Sequence, residues 1–328
     1  MKKEYMQGKE QLTLAKQIDE TVFALGSVIR EGVVEKDFYV TKIIHAISDL
    51  NHDYYNLVFQ GGTCLAKAYK VIPRMSEDCD FRIEIKTSVT TLSKTKARNK
   101  LKEFRDEIIK LLEASGFVIS KDNILVRDEG RFMSMKLQYD TLYSQQSALK
   151  PFLALDFFLA EVKTPTVKLP VTTLIRETIG NAVNHLEKTI CCISIVETAA
   201  EKMVGLTRRI MTIGHRQYYE DSALVRHIYD LYKINQANKL GDDFTQLVIE
   251  ILKTEIEKFK SHNVDYFADP RKESKRALQV LKSPVWEKHW EEFVDAMVFE
   301  QKPPTYKKAL QNLNELAELC FSKKAKES

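Results

Sequence analysis

The chain has 328 residues, of which 44% are hydrophobic and 29% are charged, and its formal net charge is +4. This composition is typical of a folded protein with a sizeable core, and it excludes a disordered chain and a uniformly basic nucleic-acid binder. Because the sequence has neither a run of about 18 apolar residues nor an apolar signal core, it predicts a cytoplasmic protein with no membrane partner.

The chain opens with two amphipathic segments. Residues 9–30 and 35–50 repeat apolar side chains at helical spacing, such as Ile18 and Val22 in the first segment and Ile43 in the second. These segments predict packing helices that cover a sheet. Neither helix carries a candidate catalytic side chain.

Residues 57–85 form the stretch around which the rest of the sequence is organised. An apolar run at 57–59 predicts a buried strand, which breaks at Gly61 and Gly62, and Thr63 then begins a helical segment. Glycine lets the backbone approach a ligand closely, and the free N–H groups at a helix N-terminus favour an anion. This segment therefore predicts a place for the phosphates of a nucleotide.

A second strand is predicted to open with Asp78, Cys79 and Asp80. Because strand side chains alternate between faces, the two aspartates share one face, and the other face packs inward. The inward-facing positions are Cys79, Phe81, Ile83 and Ile85. Two carboxylates this close repel each other, and a hard divalent cation that also binds substrate phosphates relieves the repulsion. Together with the double glycine, the pair predicts a site for a metal–nucleoside triphosphate complex, whereas an isolated Asp-x-Asp is usually a solvated turn.

A basic helix is predicted next. From Lys94 to Lys110 the sequence carries seven Lys or Arg residues and three Asp or Glu residues. Such a run is either a solvated helix face or a surface that contacts a nucleic-acid backbone or a triphosphate tail. The sequence leaves both interpretations open.

Three strands are predicted after this helix, at residues 117–126, 131–139 and 152–161. In the last of them, Asp156 lies on the face opposite to an otherwise apolar row that includes Leu155. A carboxylate in so apolar a strand is costly unless a charged group meets it. We therefore interpret Asp156 as a third carboxylate that accepts a proton or shares a metal, and a buried ion pair is the alternative.

Beyond about residue 174 the sequence reads as helical. Ser194 and Glu197 form an S-x-x-E capping box, and Lys202 lies on the helix that follows. Lys202 is either an ordinary lysine extending from the edge of an apolar face or a cation that neutralises a triphosphate. A later helix places Arg226 and Asp230 on one face, as an ion pair between turns or as part of a nucleotide site.

Four further helices are predicted, at residues 242–262, 274–281, 283–299 and 305–321. The third of these carries an apolar stripe that we predict to be core. The stripe consists of Trp286, Trp290, Phe293, Val294 and Met297.

The sequence G-G-T-C-L-A-K-A-Y, followed by R-M-S-E-D-C-D-F, resembles motif I of the AbiEii/AbiGii-type nucleotidyltransferase toxins, within the DNA polymerase-β-like superfamily. The resemblance extends, more thinly, through E-K-M-V-G-L and R-H-I-Y-D-L to about residue 235. It implies an α+β, bilobed fold. The implied lobes are a nucleotidyltransferase lobe with a mixed sheet at 1–175 and a mostly helical lobe at 176–328 that closes the nucleotide cleft.

The resemblance also implies an activity, namely transfer of a nucleotide from an NTP to an acceptor hydroxyl, with the tRNA 3′ end as the expected acceptor. The implied catalytic residues are Asp78, Asp80, Asp156 and Lys202, and the three aspartates would bind Mg²⁺, with Mn²⁺ as the alternative metal. The implied nucleotide-binding residues are Gly61, Gly62, Thr63, Ser76, Lys202, Arg226 and Asp230.

The family further implies a toxin of a type IV toxin–antitoxin or abortive-infection pair, with a separately encoded antitoxin protein as partner. Two alternatives remain open at this stage. One is a nucleotidyltransferase that modifies a protein hydroxyl, and the other is a non-catalytic module that binds a nucleotide or RNA in the same pocket.

Overall fold

The computed structural model describes residues 2–26, 28–143, 149–180, 187–214, 221–259 and 264–321. The chain divides into two compact units. Unit 1 comprises Met1–Lys70 and Met75–Ile193, and unit 2 comprises Val71–Arg74 and Ser194–Ser328. The assignment of a nucleotidyltransferase lobe to 1–175 and of a cleft-closing lobe to 176–328 remains a prediction.

Unit 1 contains a seven-stranded mixed sheet in the part of the chain that is described, with strand order β3-β4-β5-β2-β1-β7-β6. The β2–β5 and β1–β7 pairs are parallel, and the other pairs are antiparallel. The strands are β1 (Tyr55–Gln60), β2 (Asp78–Ile85), β3 (Ile124–Arg127), β4 (Phe132–Leu137), β5 (Leu153–Leu159), β6 (Val167–Val171) and β7 (Lys188–Cys192). The helices are α1 (Lys2–Ala24), α2 (Glu31–Ile47), α3 (Gly61–Lys67), α4 (Lys94–Ala114) and α5 (Leu174–Ile179).

The core of unit 1 lies on one face of the sheet. Phe81 on β2 stacks on Phe157 of β5 with ring centroids 5.2 Å apart, and Phe104 of α4 belongs to the same buried cluster. The predicted inward face of β2 is confirmed at Cys79 and Ile83 as well as at Phe81. The prediction for Ile85 was wrong: its side chain is 47% exposed, because it ends β2 at the edge of the packed region.

Two sequence predictions for the strands need correction. The segment predicted as a strand at 117–126 contributes only its end to β3, because Ser120 caps a 3₁₀ turn at Lys121–Asn123. β7 lies where only helices were predicted, and it pairs in parallel with β1 through Phe59 and Cys192. The sequence T-I-C-C at this strand carries β-branched residues, which favour an extended backbone.

Unit 2 consists, in its described residues, of helices with their connecting loops and one isolated β-bridge between Arg74 and Val298. Its helices are α6 (Ile195–Gly214), α7 (Val225–Gln236), α8 (Phe244–Phe259), α9 (Val264–Ala268), α10 (Pro270–Val280), α11 (Pro284–Met297) and α12 (Tyr306–Phe321). At the start of α6, Ser194 Oγ accepts a hydrogen bond of 3.1 Å from the backbone N–H of Glu197, as the capping box predicts.

The apolar stripe of α11 is core, as predicted. Trp286, Trp290, Phe293 and Met297 are buried, and Val294 is half-buried. The α+β class is therefore confirmed, with the sheet in unit 1 and helices in both units. No helix in the described ranges has both the length and the apolar character that crossing a membrane requires.

Candidate active site

Two of the predicted acidic residues meet on the central strands of the sheet. β2 and β5 pair in parallel with Asp80 directly opposite Asp156. Directly opposed residues on paired strands share a face, so both carboxylates lie on the face turned away from the core, and both are half-buried. Gln60 of β1 faces Asp80 and Ser134 of β4 faces Asp156, which gives one polar row across four strands.

Gly61 lies against this row at the first position of α3. Its backbone φ is +79°, and a Cβ atom there would collide with the carboxylate of Asp80. Position 61 therefore requires glycine for two reasons: its φ is positive, and the carboxylate of Asp80 occupies the space that a Cβ atom would need. Gly62 follows in the first turn of α3 and is half-buried.

The hydroxyl of Thr63 connects α3 to the start of β2. Thr63 is fully buried, its Oγ1 donates to the backbone carbonyl of Asp78, and it lies 3.0 Å from Oγ of Ser76. These contacts hold α3 beside the segment that carries the aspartates. Nucleotide binding by Thr63 and Ser76 remains a prediction, and the half-buried Ser76 is the more accessible of the two.

Asp78 is engaged by a lysine that the sequence analysis did not single out. Nζ of Lys150 lies 2.6 Å from Oδ1 of Asp78, and both side chains are partly exposed. Asp78 itself is opposite Ala154 on β5, two residues along the strands from the Asp80–Asp156 pair. In this structure, therefore, Asp78 meets a cation supplied by the chain.

A buried ion pair fixes the backbone that immediately precedes β2 and β5, the strands that carry the aspartates. Nζ of Lys36 lies 2.6 Å from Oε2 of Glu77, and the two side chains are 0% and 2% exposed. Lys36 also donates to the backbone carbonyls of Lys150 and Phe152, while Glu77 accepts a 2.9 Å hydrogen bond from the N–H of Lys150. The residues preceding β2 and β5 are thus tied to each other through α2.

In unit 2, three charged side chains form a second cluster. Asp230 of α7 is fully buried and accepts two hydrogen bonds of 2.7 Å from Arg74, one from Nε and one from a terminal nitrogen. Nζ of Lys202 lies 2.8 Å from Oδ2 of Asp230, the oxygen that also accepts from the terminal nitrogen of Arg74. Lys202 therefore ends in an ion pair instead of extending to bulk water, and the structure brings the predicted Lys202 and Asp230 together.

The two cations determine the protonation of Asp230. Burial alone would raise the pKa of its carboxyl group, but Arg74 and Lys202 together outweigh burial and bring the pKa well below its ordinary value of 3.8. Asp230 is therefore charged over the whole physiological pH range. Arg226 is half-buried one turn earlier on α7, and its role in nucleotide binding remains a prediction.

The carboxylates of unit 1 suit a hard cation that is shared with substrate. Mg²⁺ is commonly held by one or two carboxylates plus phosphate oxygens, and Asp80 with Asp156 offers such a pair. Among the described residues, no group of three or more His, Cys, Asp or Glu side chains is arranged to hold a metal ion. The assignment of Asp78, Asp80 and Asp156 as metal ligands remains a prediction.

The sequence alone does not reveal which cations pair with these acidic residues. Arg74 is the first residue of the quoted R-M-S-E-D-C-D-F motif, and Lys150 lies three residues before the start of β5. The one available signal was the expectation that a buried carboxylate needs a cation. That rule predicts a partner for Asp230 but cannot choose among 50 Lys and Arg residues.

Comparison with known proteins identifies one family. The sequence profile described as "Nucleotidyl transferase AbiEii toxin, Type IV TA system" matches residues 47–312. Among solved structures, MenT4, a nucleotidyltransferase toxin from Mycobacterium tuberculosis, is 14% identical, with a TM-score of 0.40 over 93% of this chain and 99% of that chain. A similarity of this size assigns no function. None of the curated proteins matches the chain in sequence.

Proposed function

Because the chain belongs to the AbiEii family of nucleotidyltransferase toxins of type IV toxin–antitoxin systems, we propose that it transfers a nucleotide from an NTP to a hydroxyl group at the 3′ end of tRNA. The pairing of Asp80 with Asp156 beside Gly61 is the observation that carries this proposal. Paired carboxylates next to a closely approaching backbone suit a nucleotide whose phosphates arrive with a cation.

The proposed reaction is an in-line displacement. The acceptor hydroxyl oxygen forms a bond to the α-phosphorus of the NTP, the bond from that phosphorus to the bridging oxygen breaks, and pyrophosphate leaves. Asp156 takes the proton of the attacking hydroxyl as general base. Asp80 and Asp156, together with Asp78 from the same face of β2, would hold Mg²⁺ or Mn²⁺, which when bound stabilises charge on the attacking and leaving oxygens.

Gly61 and Gly62 would admit the phosphates by close backbone approach. With only seven residues, α3 has a small dipole, so the absence of side chains matters more than the helix terminus. Within unit 2, Lys202 is the proposed phosphate-binding cation. The ammonium group of Lys202 carries three N–H donors, and its ion pair with Asp230 need not use all of them. The remaining donors can bind phosphate oxygens.

The proposed biological setting is the cytoplasm, with a separately encoded antitoxin as protein partner. The family supports an antitoxin, while tRNA as acceptor and the cytoplasmic location are parts of the proposal. Modification of a protein hydroxyl is the alternative that the same chemistry permits, so the test must distinguish the two acceptors.

The test is to incubate the purified chain and a cell lysate with each of the four α-³²P-labelled NTPs and Mg²⁺. We expect label in RNA that is sensitive to RNase, resistant to protease and located at tRNA 3′ ends on sequencing. Asp80→Asn and Asp156→Asn should abolish labelling. Glu84→Gln is the matched control, because Glu84 lies on the same face of β2, where it accepts a hydrogen bond from the side chain of Asn56. Label in protein alone, or full activity of Asp80→Asn, would refute the proposal.

A further inference from the structure

A groove lined by cationic side chains lies in unit 1, where α4 meets the edge strand β3 and the turn that leads to β4. Its volume is about 370 Å³. The cationic lining residues are Arg98, Lys102, Arg105 and Arg127. The other lining residues are Asn99, Val126, Asp128, Glu129 and Gly130. We call this feature the basic groove.

The basic groove carries an excess of positive charge. Four cationic and two acidic side chains line it, and Arg98, Lys102 and Arg127 are exposed. Within the described ranges, no ion pair joins these three to a carboxylate. Burial lowers the pKa of Arg105, and the nearby charge of Arg98 lowers it too. An anion in the groove would relieve this repulsion.

One wall of the basic groove is fixed in advance. A terminal nitrogen of Arg105 donates a 2.8 Å hydrogen bond to the carbonyl of Gly130. The φ of Gly130 is +88°, and a Cβ atom there would collide with the guanidinium of Arg105. The two preceding residues, Asp128 and Glu129, also have left-handed backbones, with φ of 48° and 51°. The turn thus holds one guanidinium in place.

The lining favours a phosphate-bearing ligand over a protein segment. Protein interfaces have an apolar, often aromatic core, whereas Val126 is the one large apolar residue in the lining. Arginine and lysine side chains at these positions match phosphate oxygens, and most contacts to a nucleic acid go to its backbone. The chemistry that fits is therefore a phosphodiester chain or a free polyphosphate.

Helix α4 packs on the core face of the sheet, whereas Arg127, on the edge strand β3, occupies a position that shares the face of Asp156. The register of the sheet gives the distance between this end of the groove and the paired aspartates. Arg127 is opposite Phe132, and Phe132 is opposite Phe158, which is two residues beyond Asp156 on the same face. Two strand spacings of about 4.8 Å and two residues of about 3.3 Å separate Arg127 from Asp156 by about 12 Å between backbones. A triphosphate tail extends only two phosphate linkages from its α-phosphorus, so a tail that starts at the aspartates ends short of the groove.

We propose that the basic groove binds the phosphodiester backbone of the acceptor RNA, a few nucleotides before the 3′ end that reacts. The inference rests on the proposed function, since it takes the RNA end to lie at Asp80 and Asp156. The groove residues are positioning residues, because they contact the acceptor strand and not the reacting atoms. They would anchor RNA without reading its sequence, as phosphate contacts do.

The test measures binding of a fluorescently labelled RNA hairpin with a single-stranded 3′ end, by anisotropy across a series of salt concentrations. The groove variant is Arg98→Ala/Lys102→Ala. Its matched control is Lys96→Ala/Lys110→Ala, which removes the same charge from exposed positions of the same helix outside the groove. Thermal melts followed by circular dichroism check that both variants fold like the parent chain.

We expect the groove variant to bind the hairpin at least about tenfold more weakly. The slope of log affinity against log salt should fall by about 1.4 to 1.8, since each phosphate contact contributes about 0.7 to 0.9. The control should lose only a small, uniform fraction of affinity. Equal losses in the two variants, or no binding of the hairpin by the parent chain, would overturn the inference.

Two additional arms identify the ligand. Inorganic tripolyphosphate should compete with the hairpin only weakly; competition at a similar phosphate concentration would show a free polyphosphate site and overturn the inference. Binding of a poly-glutamate peptide that depends on the groove, without hairpin binding, would assign the groove to an acidic protein.

Nucleotide addition to the same hairpin separates this inference from the proposed function. Asp80→Asn should bind the hairpin like the parent chain but add no nucleotide. Addition without any effect of the groove variant on binding or on KM for the hairpin would overturn the inference and leave the proposed function standing. Groove-dependent binding with no nucleotide addition to RNA would overturn the proposed function and leave the groove as an RNA-binding site.

Discussion

The buried ion pair between Lys36 and Glu77 offers a direct test of how the acidic strands are held. Lys36→Met removes the ammonium group but keeps an unbranched side chain of similar length. It leaves the Glu77 carboxylate, which is 2% exposed, without a counter-charge, and such a loss costs about 3 to 5 kcal/mol. The backbone carbonyls of Lys150 and Phe152 lose a donor as well, and the hydrogen bond from the N–H of Lys150 to Glu77 offsets part of the cost. We expect a net destabilisation of about 4 kcal/mol.

Native-state hydrogen exchange read by mass spectrometry reports this loss where it occurs. At about 1.4 kcal/mol per factor of ten, protection of the slowest amides in β2 and β5 should fall by roughly three orders of magnitude. Lys42→Met is the control on the same helix, because Lys42 is half-buried over the Phe117 ring and should cost at most about 1 kcal/mol.

A double variant sharpens the same test. Lys36→Met/Glu77→Leu replaces the ion pair with two apolar side chains and should recover part of the loss, because no uncompensated charge remains. Recovery stays incomplete since the two carbonyls still lack their donor. The reasoning is refuted if Lys36→Met behaves like Lys42→Met, or if the double variant is as unstable as the sum of its single changes.

Two further predictions concern Gly61 and Asp230. Gly61→Ala and Gly180→Ala both force alanine to a φ near +80°, which costs about 1 to 3 kcal/mol each, but of these two positions only 61 places the Cβ against a side chain, that of Asp80. Nucleotide transfer should therefore fall at least about tenfold in Gly61→Ala and less than about twofold in Gly180→Ala, measured as pyrophosphate release; equal effects would contradict the close approach. Asp230→Asn should destabilise unit 2 by about 3 to 5 kcal/mol in urea unfolding followed by tryptophan fluorescence, since both tryptophans of the chain lie in α11, and the exposed Asp242→Asn should not. The folded pKa of Asp230 is depressed, so its stabilisation is present above its ordinary pKa of 3.8 and is lost as the pH falls below that value; an acid unfolding curve unchanged in Asp230→Asn would refute this.

Local patterns predicted the acidic strands well. Period-two alternation was sufficient to place Asp78 and Asp80 on the face opposite to Phe81, because one face of β2 packs on a core that the pattern reveals. The same reasoning placed Asp156 opposite to Leu155. What alternation could not give was the register between β2 and β5, which puts Asp80 rather than Asp78 beside Asp156. That register depends on pairing between strands separated by more than 60 residues of sequence.

The ion-pair partners were beyond the reach of local patterns for the same reason. Lys36 and Glu77 come from α2 and from the residue before β2, and each alone resembles an ordinary surface charge in the sequence. Likewise, Arg74 meets Asp230 only because residues 71–74 pack with the helices of unit 2. Helical periodicity predicted that Lys202 and Asp230 lie on helices, but tertiary packing decides which charges meet.

Both clusters of charge use the same physical arrangement, each inside its own unit. A buried carboxylate, Glu77 in one case and Asp230 in the other, is paired with a lysine and accepts hydrogen bonds from further N–H donors. Such arrangements contribute little net stability compared with apolar packing, yet removing one member is costly. Their effect is to restrict where the neighbouring side chains can lie. In unit 1 the neighbouring side chains include Asp80 and Asp156 on β2 and β5. A nucleotidyltransferase needs fixed geometry there, because misplacement of reacting groups by about 1 Å can cost a hundredfold in rate.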